Sequence, residues 1–69
     1  MKRTPVKSSN IKSVGYSSTS RKLEVEFISG TVYEYGGVEP SVALTFLKSQ
    51  SKGKYFSTFI KNKYKGSKL

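Results

Sequence analysis

The run Lys22-Leu23-Glu24-Val25-Glu26-Phe27 sets each apolar residue two positions from the next and fills the gaps with charge. That is the pattern of a strand with one buried and one solvated face. The segment beyond Phe27 decides how a sheet can be built on this strand. Ile28-Ser29-Gly30 leads into Thr31-Val32-Tyr33-Glu34-Tyr35, where two tyrosines repeat the same period. A two-residue Ser29-Gly30 turn pairs Phe27 with Val32 and puts Tyr33 and Tyr35 on the face of Glu24 and Glu26. A three-residue loop with Gly30 in the left-handed conformation instead pairs Phe27 with Thr31, Val25 with Tyr33 and Leu23 with Tyr35. The second register is expected. It collects Leu23, Val25, Phe27, Tyr33 and Tyr35 on one face and leaves Glu24, Glu26, Val32 and Glu34 on the other.

Ile11, Val14 and Tyr16 mark an earlier strand, joined to the central one through the polar turn Ser17 to Ser20. Gly36-Gly37 stops the tyrosine strand, and Pro40 suits the first turn of a helix, where its missing N–H has no partner to lose. Val42, Ala43, Phe46 and Leu47 give that helix an apolar stripe ending near Ser49 or Gln50. Gly53 is expected to end it in the left-handed conformation, with a second helix starting near Lys54. The second helix is expected to bury Tyr55, Phe56, Phe59, Ile60 and Tyr64, with Lys54, Lys61 and Lys65 as a basic stripe opposite the core. The expected fold is α+β: a three-stranded antiparallel β-meander followed by two α-helices packed on one face. Residues 1–9 are expected to be a flexible basic arm, residues 10–65 a single domain, and residues 66–69 a flexible tail.

A chain of 69 residues buries only about 60% of the surface its unfolded form exposes, so apolar packing has little to spare. There is no cysteine and no histidine, which excludes disulfides, thiolate or imidazole metal sites and imidazole acid–base catalysis. No apolar run approaches the roughly 18 residues of a membrane span, and a cytoplasmic setting is expected. Thirteen Lys and Arg against four Glu give a net charge of +9. The acids are Glu24, Glu26, Glu34 and Glu39, while seven lysines and no acid lie beyond Val42. Such one-sided charge favours phosphate-bearing partners, although strong charge also serves solubility.

The segment Ser51-Lys52-Gly53-Lys54 gathers a glycine, a hydroxyl and two ammonium groups at a helix junction, a candidate phosphate seat that Lys61 and Lys65 would extend. The competing reading is an ordinary turn with solvated lysines. Tyr33, Tyr35 and Tyr64 are candidates for stacking a base, against the demand that they pack beneath the helices. Glu24, Glu26 and Glu34 read as a solvated outer sheet face balanced by Lys22 and Lys12, too flat for a cation. No nucleophile arrangement can be built from the spacing, so no catalytic residue, metal or cofactor is expected.

Taken in order, Ile11, Val14-Gly15-Tyr16, Leu23-x-Val25-x-Phe27, Gly30, Tyr33-x-Tyr35, Val38, Leu47, Ser51-x-Gly53-x-Tyr55-Phe56, Ile60 and Tyr64 resemble the KTSC domain over about Ser9 to Tyr64. That short domain is named for its occurrence at the C-terminus of some lysyl-tRNA synthetases and is also found alone in bacteria and phages. The chain departs from the family pattern at Ser17, Glu39, Ala43 and Ser57. The resemblance implies RNA binding, through attachment to a tRNA synthetase. The expected function is therefore a non-catalytic binding module for RNA or a phosphate-bearing nucleotide. The alternative is a stand-alone, phage-type interaction protein that inhibits a host protein or, as a homo-oligomer, sequesters a nucleotide-derived signal.

Overall fold

The computed structural model describes residues 3–69. Five strands form one antiparallel sheet in chain order: β1 (Thr4–Pro5), β2 (Ile11–Ser17), β3 (Lys22–Phe27), β4 (Val32–Tyr35) and β5 (Gly66–Lys68). Between β4 and β5 the chain makes α1 (Pro40–Lys48), α2 (Lys52–Tyr55) and a π-helical turn (Phe56–Ile60) that continues α2.

The central register is the one set by the three-residue loop. Leu23 faces Tyr35 and Val25 faces Tyr33, the Phe27 N–H donates to the Thr31 carbonyl at 2.9 Å, and Gly30 has φ +97°. The loop needs that left-handed residue, which only glycine adopts without strain. Between β2 and β3 the pairing slips, with Ile11 opposite Phe27 but Ser13 opposite Glu26. A bulge at Lys12 thus turns both Ile11 and Val14 inward despite their three-residue spacing. The inner face comprises Ile11, Val14, Leu23, Val25 and Tyr35, and α1 and the π turn close over it with Ala43, Phe46, Phe56 and Ile60. Each fully buried side chain such as Leu23 or Ile60 stabilises the fold by about 1.5–3 kcal/mol. Tyr16 ties the first long strand to the start of α1 by donating its hydroxyl to the Val38 carbonyl at 2.5 Å.

Several expectations need correction. The sheet has five strands rather than three: Thr4–Pro5 falls within the expected arm and Gly66–Lys68 within the expected tail. Both segments are exposed and carry no apolar alternation, so only backbone pairing reveals them. Residues 1 and 2 of the expected arm lie outside the described residues. Gly53 is not left-handed: it sits inside α2, and the positive-φ glycines are Gly30 and Gly37. The chain turns before it instead, at Ser49 to Ser51, where the Ser49 Oγ accepts the Ser51 N–H at 3.2 Å. Finally, Phe59 and Leu47 are 51% and 37% exposed rather than buried. In the π turn the Lys61 N–H reaches back to the Phe56 carbonyl at 2.8 Å. This wider turn keeps Phe56 and Ile60 inward while rotating Phe59 away.

On the outer face the carboxylates of the opposed pair Glu24 and Glu34 are each met by a cation: Arg3 to Glu24 at 2.7 Å and Lys22 to Glu34 at 3.5 Å. Ser13 donates to Glu26 at 2.7 Å. Arg3, not Lys12, is thus the second balancing cation among the described residues.

Strand β5 is fastened by backbone pairing with β4 and by one close side-chain contact. Gly66 pairs with Tyr35, and a Cβ on Gly66 would fall 3.0 Å or less from three carbons of the Tyr35 ring. The ring lies across the glycine, an aromatic covering a backbone with no side chain of its own. Gly66→Ala should therefore destabilise the protein by about 1–3 kcal/mol through overpacking, measured by chemical denaturation. Gly36→Ala, where an added Cβ meets nothing within 4 Å, should stay within about 0.5 kcal/mol.

Candidate functional site

Phe27, Tyr33 and Tyr35 lie on the inner face of β3 and β4, Tyr35 within the core cluster and Phe27 and Tyr33 packed against it. There they meet Phe56 at the start of the π turn. The four rings close a circuit: Phe27 to Tyr33 at 6.0 Å, Tyr33 to Tyr35 at 6.4 Å, Tyr35 to Phe56 at 5.4 Å and Phe56 to Phe27 at 5.3 Å between centroids. Three of the four contacts are edge-to-face, the arrangement favoured by the ring quadrupole. The rings line a cleft of about 520 Å³ whose remaining walls are Asn10, Ile11, Gly53, Ser57, Lys61 and Gly66. Its size lies in the range of small-molecule pockets, and its walls mix polar and apolar surface in similar amounts.

The polar groups come from separate elements. Asn10 sits on the approach to β2, Ser57 on the π turn, and Lys61 immediately after it. Ser57 donates its hydroxyl to the Gly53 carbonyl at 3.0 Å, which leaves its oxygen lone pairs available. Gly53 lets the helix approach Asn10 closely: an added Cβ would lie 3.3 Å from Asn10 Nδ2. Burial pushes the Tyr35 phenol above its ordinary 10.0, and the neighbouring Tyr33 raises it further. Tyr35 therefore keeps its proton at neutral pH.

A second, smaller cleft of about 250 Å³ lies on the other side of Asn10 and Gly53. Lys7, Ser8, Ser9, Gln50, Ser51, Lys52 and Lys54 complete it. The four residues of the expected phosphate seat, Ser51, Lys52, Gly53 and Lys54, are thus brought together. Lys52 is partly committed, since its ammonium donates to the Ser49 carbonyl at 2.9 Å and holds the end of α1. Lys61 belongs to the aromatic cleft instead. Lys65 lines neither cleft: it lies in the turn ahead of β5, where its carbonyl accepts the Gly36 N–H at 3.4 Å. The single lysine stripe does not form, because the π turn breaks the helical spacing that would have aligned Lys54 with Lys61.

Of the three candidate tyrosines, Tyr33 and Tyr35 line the aromatic cleft, while Tyr64 packs against the core elsewhere. Tyr33 is half-buried and Tyr35 only 6% exposed, so Tyr33 offers the more accessible ring. Sequence reasoning missed Asn10, Ile11, Phe27, Phe56, Ser57 and Gly66 as lining residues, and Lys7, Ser8, Ser9 and Gln50 in the smaller cleft. Ser57 carried a signal, as one of the positions at which the chain departs from the pattern it resembles.

A model of the KTSC domain family matches residues 7–64. An uncharacterized protein of Stutzerimonas stutzeri is 41% identical over 61 residues, covering 88% of this chain and 86% of that protein. A lysine–tRNA ligase of Nostoc punctiforme is 44% identical over 59 residues, covering 86% of this chain but 10% of the ligase. The crystal structure of a KTSC domain protein from Yersinia pestis superposes with a TM-score of 0.95 at 38% identity, covering 99% of this chain and 96% of that one.

The raised Tyr35 value has a measurable sign. Folding favours the neutral phenol, so the associated stability is fully present below about pH 10 and is lost as pH rises through the folded value. An absorbance titration of tyrosinate should contain one ionisation later than 10.0 that disappears in Tyr35→Phe and moves back towards 10.0 in Tyr33→Phe. Denaturation midpoints should fall more steeply above pH 10 in the wild type than in Tyr35→Phe.

Proposed function

We propose that this chain, which belongs to the KTSC domain family, is a non-catalytic binding module for a phosphate-bearing nucleotide unit, either free or within single-stranded RNA. The observation that carries the reading is the aromatic cleft with Lys61 at its wall. The partly exposed Tyr33 and Phe27 rings supply surface for a flat heteroaromatic base, backed by the buried Tyr35 and Phe56; Asn10 supplies both a donor and an acceptor for a base edge, and the Lys61 ammonium supplies a counter-charge for phosphate.

Cationic ligands, which aromatic pockets also accept, are disfavoured here by Lys61 and by the net charge of +9. An anionic aromatic ligand satisfies both the rings and the charge. The lysine–tRNA ligase relative, of which this chain matches 10%, lends an RNA-handling setting to the reading.

Calorimetry with AMP, UMP and a short single-stranded RNA at about 0.3 M salt, where nonspecific attraction is largely screened, tests it. Binding is expected for all three. Tyr33→Ala should weaken it by about 1–3 kcal/mol, the usual contribution of a stacking aromatic. Lys61→Ala should weaken it too, whereas Tyr64→Ala should leave it unchanged. No binding at that salt, or binding indifferent to both Tyr33 and Lys61, would overturn the proposal.

A further inference from the structure

The two clefts are separated by little more than one side chain. Asn10 and Gly53 line both, and where a larger residue would build a wall, Gly53 presents only its Cα to Asn10. On the aromatic side the cation is Lys61; on the other side Lys7, Lys52 and Lys54 converge, and among the described residues no carboxylate lines either cleft.

The smaller cleft also has a hydroxyl able to donate. Ser8 Oγ accepts the backbone N–H groups of Asn10 and Ile11, each at 3.3 Å. With its lone pairs engaged, the Ser8 hydrogen is the group left to donate. Even with the Lys52 ammonium held on the Ser49 carbonyl, Lys7, Lys54 and Lys61 bring three positive charges to the joined clefts, more than one phosphate, with about two negative charges, can neutralise. The smaller cleft has no aromatic residue among its described lining, so it suits phosphate rather than a second base.

From this juxtaposition we infer that the ligand carries a second phosphate: its base and first phosphate occupy the aromatic cleft, and the next phosphate crosses the Asn10–Gly53 ridge into the seat formed by Lys7, Ser8, Lys52 and Lys54. This inference rests on the nucleotide reading of the aromatic cleft. The second phosphate has two sources to distinguish, a diphosphate chain on one nucleoside or the phosphodiester link of an oligonucleotide, and both present the same chemistry to the seat.

Isothermal titration at about 0.3 M salt with AMP, ADP, the dinucleotide pApA and inorganic pyrophosphate separates them. The proteins are the wild type and a Lys7→Ala/Lys54→Ala double variant, both positions being exposed and the fold checked by circular dichroism. ADP or pApA should bind the wild type at least about tenfold more tightly than AMP, the effect expected of one charge-assisted contact. That advantage should fall to about twofold or less in the double variant, with AMP affinity itself little changed. A gain for pApA alone identifies the phosphodiester source, and a gain for ADP alone the diphosphate. AMP binding with no gain from a second phosphate, or a gain that survives in the double variant, overturns the inference and leaves the nucleotide pocket standing. Pyrophosphate binding that depends on Lys7 and Lys54 in the absence of AMP binding instead overturns the nucleotide reading, and the joint site with it.

Discussion

Phe56 is where the sheet and the helices meet. Its ring lies 5.3 Å from Phe27 and 5.4 Å from Tyr35 on the sheet, and 6.5 Å from Phe46 of α1. Such aromatic pairs add about 0.5–1.5 kcal/mol each beyond the area they bury. In a chain this short, with no disulfide to staple it, that is a sizeable part of a marginal stability. Phe56 also opens the π turn, so the wide turn that keeps Ile60 in the core fixes the direction in which Ser57 and Lys61 emerge.

The same contact shapes the candidate site. Phe56 is a wall of the aromatic cleft and a member of the core cluster, as is Tyr35, whose far side is held by Gly66. The cleft is consequently preorganised by the packing that stabilises the fold, and its rings have little freedom to lose when a ligand enters. In the nucleotide reading, specificity is left to groups outside that packing, chiefly Asn10 and the lysines.

Charge is partitioned by the sheet. Glu24, Glu26 and Glu34 lie on its outer face, where Arg3, Lys22 and Ser13 engage them. They therefore do not neutralise the helical side, where Lys7, Lys54 and Lys61 surround the two clefts without a carboxylate among the described lining residues. The net excess of positive charge thus becomes a local field rather than an average over the surface.

The sequence by itself determined the central sheet and the identity of its inner face. Alternation in Leu23-Val25-Phe27 and Tyr33-Tyr35 leaves one register that separates apolar from charged residues, and Gly30 is the residue that register requires. It also specified α1 through Pro40 and its stripe, and it named Ser51, Lys52, Gly53, Lys54, Lys61, Tyr33 and Tyr35 as candidate binding residues, which the fold places along the two clefts. What only the tertiary structure decided has two physical causes. Edge strands β1 and β5 bury almost nothing, so their pairing is written in backbone hydrogen bonds and in the room Gly66 leaves for Tyr35, neither of which has a side-chain period. The partition of Lys54 and Lys61 between two clefts, with Lys65 in neither, follows from a π turn whose wider spacing is set by Phe56 and Ile60 seeking the core together. Asn10, Lys7 and Ser8 join the site because chain closure brings residues more than forty positions apart into contact across Gly53, a distance at which local pattern carries no information.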